Sequence, residues 1–272
     1  MWPKLVDLGP FPIHTYGVLL ATALFVGIWL AARLGEQDGI PSRLTWDLGF
    51  VVVVSGIVGA KLLLVVTEAD YYLENPGRLF SLQFLQAGGV YYGGFLGAVA
   101  GAAWFLRKHP ELSFWRVSDA AAPAIALGQA IGRLGCFSAG CDYGCPTEVP
   151  WAVVFTSEYA HQVVGTPLNI PLHPYQLYES AGCFLLFLLL WWAFSRRTFF
   201  GQVFCFYLVG YGLLRFFLEF FRGDLDRGFV FGGLLSTSQF ISVLIVPTGL
   251  LAYFWLRRRY ERLNQGARDF GS

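Results

Sequence analysis

Charge is scarce in this chain of 272 residues: only 14% is Asp, Glu, Lys or Arg, while 56% is hydrophobic and 18% aromatic. An ordinary soluble domain carries roughly 25% charged residues. That shortage excludes a soluble fold, which could not hide so much apolar surface, and points to a polytopic membrane protein. Cysteine is sparse and scattered, five in all, which excludes a disulfide scaffold. The four histidines form no pattern that completes a four-ligand metal site, so no metal and no cofactor are expected. A net charge of +1 gives no footprint for nucleic acid. The first apolar run follows Pro10 and Pro12 with no basic segment of note and no small-residue cleavage site, so no cleavable signal peptide is expected. Without repeats or a low-complexity linker, the chain reads as a single membrane domain over 1–272.

Seven apolar stretches approach the ~20 residues that a bilayer crossing requires. They run approximately Tyr16–Ala32, Leu48–Val66, Gly89–Leu106, Ala120–Phe137, Gly182–Phe194, Phe199–Leu218 and Leu235–Leu256. The fifth is short and is expected to borrow from the lead-in His173–Ser180. The fold class is thus an all-α membrane protein of seven transmembrane helices. One set of flanks collects Arg33, Arg43, Arg107, Lys108, Arg116, Arg196, Arg197, Arg257, Arg258, Arg259, Arg262 and Arg268, twelve of the 19 basic residues. The opposite set has Lys4, Arg78, Arg222 and Arg227. The positive-inside rule then puts the N-terminus outside and the basic tail, about 257–272, in the cytoplasm. Residues 138–180 form a long outer loop without Lys or Arg, in which Trp151–Phe155 suits a short strand or an interfacial segment.

Polar groups inside the spans concentrate at the outer end. The stretch Gly132-Arg133-Leu134-Gly135-Cys136-Phe137-Ser138-Ala139-Gly140-Cys141-Asp142-Tyr143-Gly144 closes an apolar run with an arginine, which is costly there without an anion. Arg133 has Gln129 and Cys136 on its helix face but no acid one turn away, so its anion comes from another helix or from a ligand. Glu179 is the internal candidate. Arginine suits a phosphate because its planar fork binds two oxygens at once. Tyr211, Arg215, Glu219 and Arg222, spaced four, four and three, stack on one helical face. Either they satisfy one another, or Glu219 holds one arginine and leaves the other open for phosphate. Lys61 lies mid-span and is expected to pair or snorkel. Gly93, Gly97 and Gly101 share a face suited to close helix packing, with Gly93 and Gly94 set apart by their place at an outer span end. Cys136, Cys141 and Cys145 are expected to be bridged or to be inert thiols, with a reactive thiol as the remaining alternative; Cys183 and Cys205 suit apolar packing. Nothing comparable to the outer polar set recurs at the inner end, which disfavours a transport route.

These residues resemble the prolipoprotein diacylglyceryl transferases of bacteria. The likeness runs in order through His14-Thr15-Tyr16-Gly17, Gly88-Gly89 with Gly93-Gly94, Gly132-Arg133-Leu134-Gly135 with Gly140 and Gly144, His173-Pro174 with Gln176-Leu177-Tyr178-Glu179, and Arg215 with Glu219-Phe220-Phe221-Arg222. The resemblance implies an enzyme of the bacterial inner membrane, acting at its outer leaflet. Its partners would be phosphatidylglycerol and the lipobox peptide of a prolipoprotein, whose cysteine thiol receives the diacylglyceryl group. By position, Arg133 and Arg215 match essential arginines, and Tyr16 and Gly144 match other sensitive positions. Glu179, Glu219 and Arg222 match supporting polar residues, while Gly93 and Gly94 fall in the glycine segment. Three positions depart from the pattern. Tyr92 stands where the family commonly has the histidine taken as base, Cys136 where it has Asn, and Cys141 where it has Glu. Tyr92 and His14 are thus the candidates for thiol activation, and the base is left open; Tyr16 joins the catalytic set by its position in the motif. The departures also fit a relative that acts on another thiol or lipid; a non-catalytic lipid-binding or transport protein is the third alternative.

Overall fold

The computed structural model describes residues 3–7, 12–81, 84, 88–224 and 228–269. Arg227, counted above, and residues 270–272 of the basic tail lie outside the described residues. The chain divides into two compact units, one formed by Met1–Ala31 with Trp115–Ser272 and the other by Ala32–Phe114.

The long helices fall where apolar runs predict them. They are α1 (Thr15–Gln37), α2 (Ser42–Thr67), α4 (Tyr91–Lys108), α5 (Phe114–Ala139), α7 (Tyr175–Phe194), α8 (Gln202–Leu218) and α9 (Thr237–Asp269). Among the described residues, the short helices α3 (Ala69–Glu74) and α6 (Glu158–Val164) lie between them. Six helices among the described residues, all of the long ones except α4, are long and apolar enough to cross a membrane. Many of their large apolar side chains face outward, such as Phe25, Phe50, Leu62, Leu185 and Leu251, and α2 buries none of its residues. A surface of this kind suits lipid. The fifth span does take up its lead-in, beginning at Tyr175 just after Pro174. The last helix runs well past Leu256 into the basic tail.

The expected long loop between α5 and α7 is folded. It holds α6 and the strands β3 (Val153–Val154) and β4 (Pro171–Leu172), which pair antiparallel, Val153 opposite Leu172. Two further antiparallel pairs, which the sequence did not disclose, are β1 (Lys4–Asp7) with β2 (Pro12–His14) and β5 (Phe229–Val230) with β6 (Leu235–Ser236).

In the Ala32–Phe114 unit, α2 and α4 meet through small residues. A side chain at Gly59 would run into the backbone of Gly93 and lie 2.9 Å from the Gly97 Cα; one at Gly93 would strike the Gly59 carbonyl and lie 2.5 Å from the Leu63 Cβ. Gly97 and Gly101 meet Ser55 in the same way. Gly93 therefore shares the packing role expected of Gly97 and Gly101. Gly94 is looser, its nearest neighbours at 3.5 Å. Lys61 finds its partner by pairing: Nζ donates to the Phe84 carbonyl at 2.5 Å and lies over its ring.

At one end of the other unit, fully buried Asp119 of α5 caps α8 from a distance. Its carboxylate accepts from the Gly201 and Phe204 amides at 2.8 and 2.9 Å and pairs with Arg197 at 3.7 Å. These amides begin a helix that has no side-chain cap of its own.

Packing at Gly93 predicts that Gly93→Ala destabilises the protein by about 1–3 kcal/mol, the usual range for an overfilled contact. Gly17→Ala, where an added methyl meets nothing within 4 Å, serves as the control. Thermal unfolding of both variants in detergent checks this; equal stability would remove the packing role.

Candidate functional site

The polar residues of the larger unit converge at the end opposite Asp119. Arg133 sits near the end of α5, Tyr175 and Glu179 in the first turns of α7, Arg215 in the last turn of α8 and Ser238 at the start of α9. Spacing by four puts Tyr175 and Glu179 on one face of α7, and Gln176 and Ser180 on the adjoining one. The second pair ties α7 to α5 and to the turn that follows it: Ser180 donates to the Ala130 carbonyl at 2.8 Å and Gln176 to the Cys141 carbonyl at 2.7 Å.

That turn decides the site. Gly140, with φ of 85°, ends α5 and sends the chain back, and Asp142 follows with φ of 51°. Buried Thr166 fastens the reversal by donating to the Gly140 carbonyl at 2.9 Å. The Asp142 carboxylate then lies between two guanidinium groups. One oxygen accepts from Arg133 Nη1 and the other from Arg222 Nη2, each at 2.6 Å. Arg133 Nε pairs with Glu179 at 3.0 Å. Arg215 pairs with Glu219 at 3.2 Å and with Glu179 at 3.6 Å. It also donates to the Tyr175 hydroxyl and to Ser238 Oγ. The Tyr175 ring lies under both Arg215 and Arg222, at 5.8 and 5.9 Å. Asp224 takes Arg222 in a fork, at 2.5 and 2.6 Å.

Burial pushes the Asp142 pKa up, but Arg133 and Arg222 outweigh it and hold the carboxyl below its ordinary value. Asp142 is therefore ionised above about pH 4. The stability of the clamp is fully present there and is lost only as pH falls through the lower, folded-state pKa. For Arg222, burial works against the charge, but its bonds to Asp224 and Asp142 prevail and raise its pKa.

The expected pairing of Arg133 with Glu179 is found, but its closest anion is Asp142, nine residues on in the same chain. Glu219 does hold one arginine, Arg215. The other arginine, Arg222, is taken by Asp142 and Asp224. Nor does Arg222 share the helical face: α8 stops at Leu218, a 3-10 turn covers Glu219–Phe221, and Arg222 is extended. There it bridges Gly144 in an antiparallel contact. Gly144 has no room for a side chain, since one would lie 2.8 Å from the His173 Cβ and meet the His173 carbonyl.

Tyr16 lies within electrostatic reach of Arg133, Cys136, Cys141 and Asp142. His14 belongs to β2 and stacks on Tyr159 at 6.0 Å. Tyr92, Gly93 and Gly94 belong to the Ala32–Phe114 unit, where Tyr92 is half-exposed and packs edge-on against Tyr91. All five cysteines are free thiols, so the expected alternative of a bridge is not realised. Sequence reasoning missed Asp142, Asp224, Tyr175 and Ser238. The signal for Asp142 was its place just after Gly140, where a glycine that ends a helix lets the next residues fold back over it.

The arrangement is a set of fixed guanidinium groups at one end of an apolar bundle, suited to an anion with several oxygens. Residues 3–255 match the family model described as prolipoprotein diacylglyceryl transferase. The chain is 37% identical over 268 residues to the phosphatidylglycerol–prolipoprotein diacylglyceryl transferase of Bordetella avium, covering 96% of each chain. It is 35% identical over 254 residues to the protein of that name in Clostridium tetani, covering 93% of this chain and 97% of the other. The Synechococcus elongatus protein of that name is 32% identical over 260 residues, with 93% and 87% covered. With its arginines set at the end of an apolar bundle and these matches spanning nearly its whole length, the chain belongs to the prolipoprotein diacylglyceryl transferase family.

Proposed function

We propose that the protein transfers the diacylglyceryl group of phosphatidylglycerol to the lipobox cysteine thiol of a prolipoprotein, forming a thioether and releasing glycerol phosphate. The observation that carries this reading is the Asp142 carboxylate spread across Arg133 and Arg222. It occupies the two guanidinium groups as two oxygens of a phosphodiester would. Three arginines here face four carboxylates, Asp142, Asp224, Glu179 and Glu219. With an anionic excess already present, a lipid phosphate has to replace a carboxylate rather than join the set. Asp142 is the one most able to yield, with 26% of its side chain exposed against 13% for Asp224, 1% for Glu179 and 2% for Glu219.

In this mechanism the phosphate takes Arg133 and Arg222, while Arg215 and Glu219 brace the far side and Glu179 keeps Arg133 oriented. As the carbon–oxygen bond breaks, charge grows on the leaving phosphate, where fixed guanidinium groups stabilise it. The acceptor must react as thiolate. Asp142, freed from both cations, takes the thiol proton. Of the candidates named from sequence, Tyr16 is within electrostatic reach of Asp142 and Arg133, and His14 and Tyr92 keep supporting roles toward the incoming peptide. Gly93, Gly94 and Gly144 act in substrate binding through close backbone approach.

The topology follows from the same reading. Seven crossings, with α4 among them, form a single membrane domain over 1–272. They put the N-terminus and the arginine cluster at the outer leaflet of the bacterial inner membrane and the basic tail in the cytoplasm. The split of twelve basic residues against four supports this orientation. The departures at Tyr92, Cys136 and Cys141 favour a second reading, the same chemistry on a different thiol acceptor.

Expression in cells depleted of their own transferase tests the proposal, with prolipoprotein lipidation followed by gel shift. Restored lipidation is expected; none despite good membrane expression would sink the first reading. Arg133→Lys should lose at least about 100-fold in kcat/KM, since a point charge cannot replace a fork that holds two anions. Full activity would remove its phosphate role. Asp142→Asn should cut kcat by about 100-fold or more, the usual share of a general base, with no rise in KM for phosphatidylglycerol. A raised KM with unchanged kcat would assign Asp142 to binding alone.

A further inference from the structure

Cys136 and Cys141 lie against this clamp and have no part in the mechanism above. Cys136 sits in the last turn of α5, and the reversal at Gly140 carries Cys141 back over it. The Cys141 thiol donates to the Cys136 carbonyl at 3.8 Å. Both sulfurs and an Asp142 oxygen lie within 4.8 Å of one another, and the Cys136 sulfur is 4.0 Å from Arg133 Nη1. Both cysteines are partly exposed, whereas Cys183 and Cys205 are buried.

Two sulfurs and a carboxylate oxygen form three ligands of a kind that zinc accepts. The charges argue against it. Both Asp142 oxygens are committed to guanidinium groups at 2.6 Å, and a divalent cation would stand beside Arg133. A thiol pair carries no such conflict.

We propose that Cys136 and Cys141 form a redox-active dithiol whose closure to a disulfide opens the Asp142 clamp on Arg133. The oxidant is a small disulfide, RS–SR, acting by exchange. The Cys141 thiolate attacks one sulfur of RS–SR and expels RS⁻, leaving a mixed disulfide. Cys136 then loses its proton and displaces the second RS⁻, which closes the protein disulfide. The two protein thiols give up two electrons, and the two expelled thiolates take the two protons, so one RS–SR becomes two RSH. Cys141 attacks first because its neighbours Cys136 and Arg133 hold its pKa below the ordinary thiol value.

The mechanical consequence comes from covalent geometry. The sulfurs must close to about 2.05 Å with a fixed torsion, and Asp142 is the next residue after Cys141. Closure therefore drags the carboxylate off the position in which it bridges Arg133 and Arg222. In the transfer proposed above, Asp142 leaves the arginines only to act as base on the acceptor thiol. Held elsewhere by the disulfide, it is misplaced for that step, and a displacement on the order of 1 Å at a catalytic group is enough to cost up to about 100-fold in rate. The effect on turnover rests on the transferase reading above; the disulfide and the release of Arg133 do not.

The test uses the full-length enzyme in lipid nanodiscs, reduced or treated with oxidised glutathione. Three readouts are taken: peptide mass mapping, phenylglyoxal labelling of Arg133, and transfer from phosphatidylglycerol to a lipobox peptide. The expected result is a Cys136–Cys141 linkage, several-fold faster labelling of Arg133 and at least a tenfold loss of transfer, all reversed by dithiothreitol. Cys136→Ser and Cys141→Ser should each turn over normally and ignore the oxidant. The proposal falls if the folded protein forms no such linkage, or if the linked protein labels and turns over like the reduced one. It also falls if equilibrium dialysis finds one zinc ion per reduced chain that is lost in Cys141→Ser, which would make the cluster a metal site. Should the reduced enzyme transfer no lipid at all, the transferase reading fails, and the labelling of Arg133 still decides the dithiol.

Discussion

The Asp142 carboxylate between Arg133 and Arg222 is the contact on which this end of the bundle depends. Arg133, Arg215 and Arg222 are drawn together where side chains are little exposed, between 11% and 20%. Like charges held this closely repel unless anions lie between them. A buried ion pair adds little net stability, but removing one partner costs about 3–5 kcal/mol because the other charge is left unmatched. The turn that carries Asp142 is correspondingly well fixed. Gly140 reverses it, Thr166 and Gln176 hold its carbonyls, and Gly144 is pinned between the backbones of His173 and Gly223. The glycines of this stretch thus serve the placement of one carboxylate as much as the approach of any ligand.

The long helices were legible in the sequence because lipid imposes a coarse and continuous demand: twenty apolar residues in a row. The pairing of Arg133 with Glu179 was legible for a related reason, since an intramembrane arginine needs an acid and few are present. What escaped was everything set by a change of chain direction. Asp142 is close in sequence to Arg133 but reaches it only through a left-handed reversal that helical spacing does not describe. Arg222 failed in the opposite way. Its spacing from Glu219 fits a helix perfectly well, yet α8 ends at Leu218 and the extended chain pairs with Gly144 instead. Asp224 and Tyr175 follow from that same departure, because they meet Arg222 only once it has left the helix.

Gly93 shows how a motif can be read in two ways at once. Its place in the segment Gly88–Gly94 suggested a role toward substrate, and its spacing from Gly97 and Gly101 suggested packing. The reciprocal contact with Gly59 accounts for the packing role. Asp119 makes the same point at the other end of the larger unit. Its buried carboxylate accepts two hydrogen bonds from amides at the start of α8, a structural task.

Charge also constrains the order of events at the cluster. In the proposed transfer, a phosphodiester that displaces Asp142 from Arg133 and Arg222 leaves the charge in contact with those arginines unchanged, one carboxylate being exchanged for one phosphate. When the carbon–oxygen bond breaks, the phosphate gains a second negative charge. The thiol must lose a proton in the same step, and Asp142 is the nearby carboxylate without its cations at that moment. By accepting the proton it becomes neutral as the phosphate becomes dianionic, so the total charge of the site stays constant through the reaction. In a setting of low dielectric, where net charge is costly, a mechanism that never changes the total has an advantage over one that does. The same exchange returns Asp142 to its arginines when glycerol phosphate leaves: shedding its proton restores the carboxylate, and the clamp closes again on Arg133.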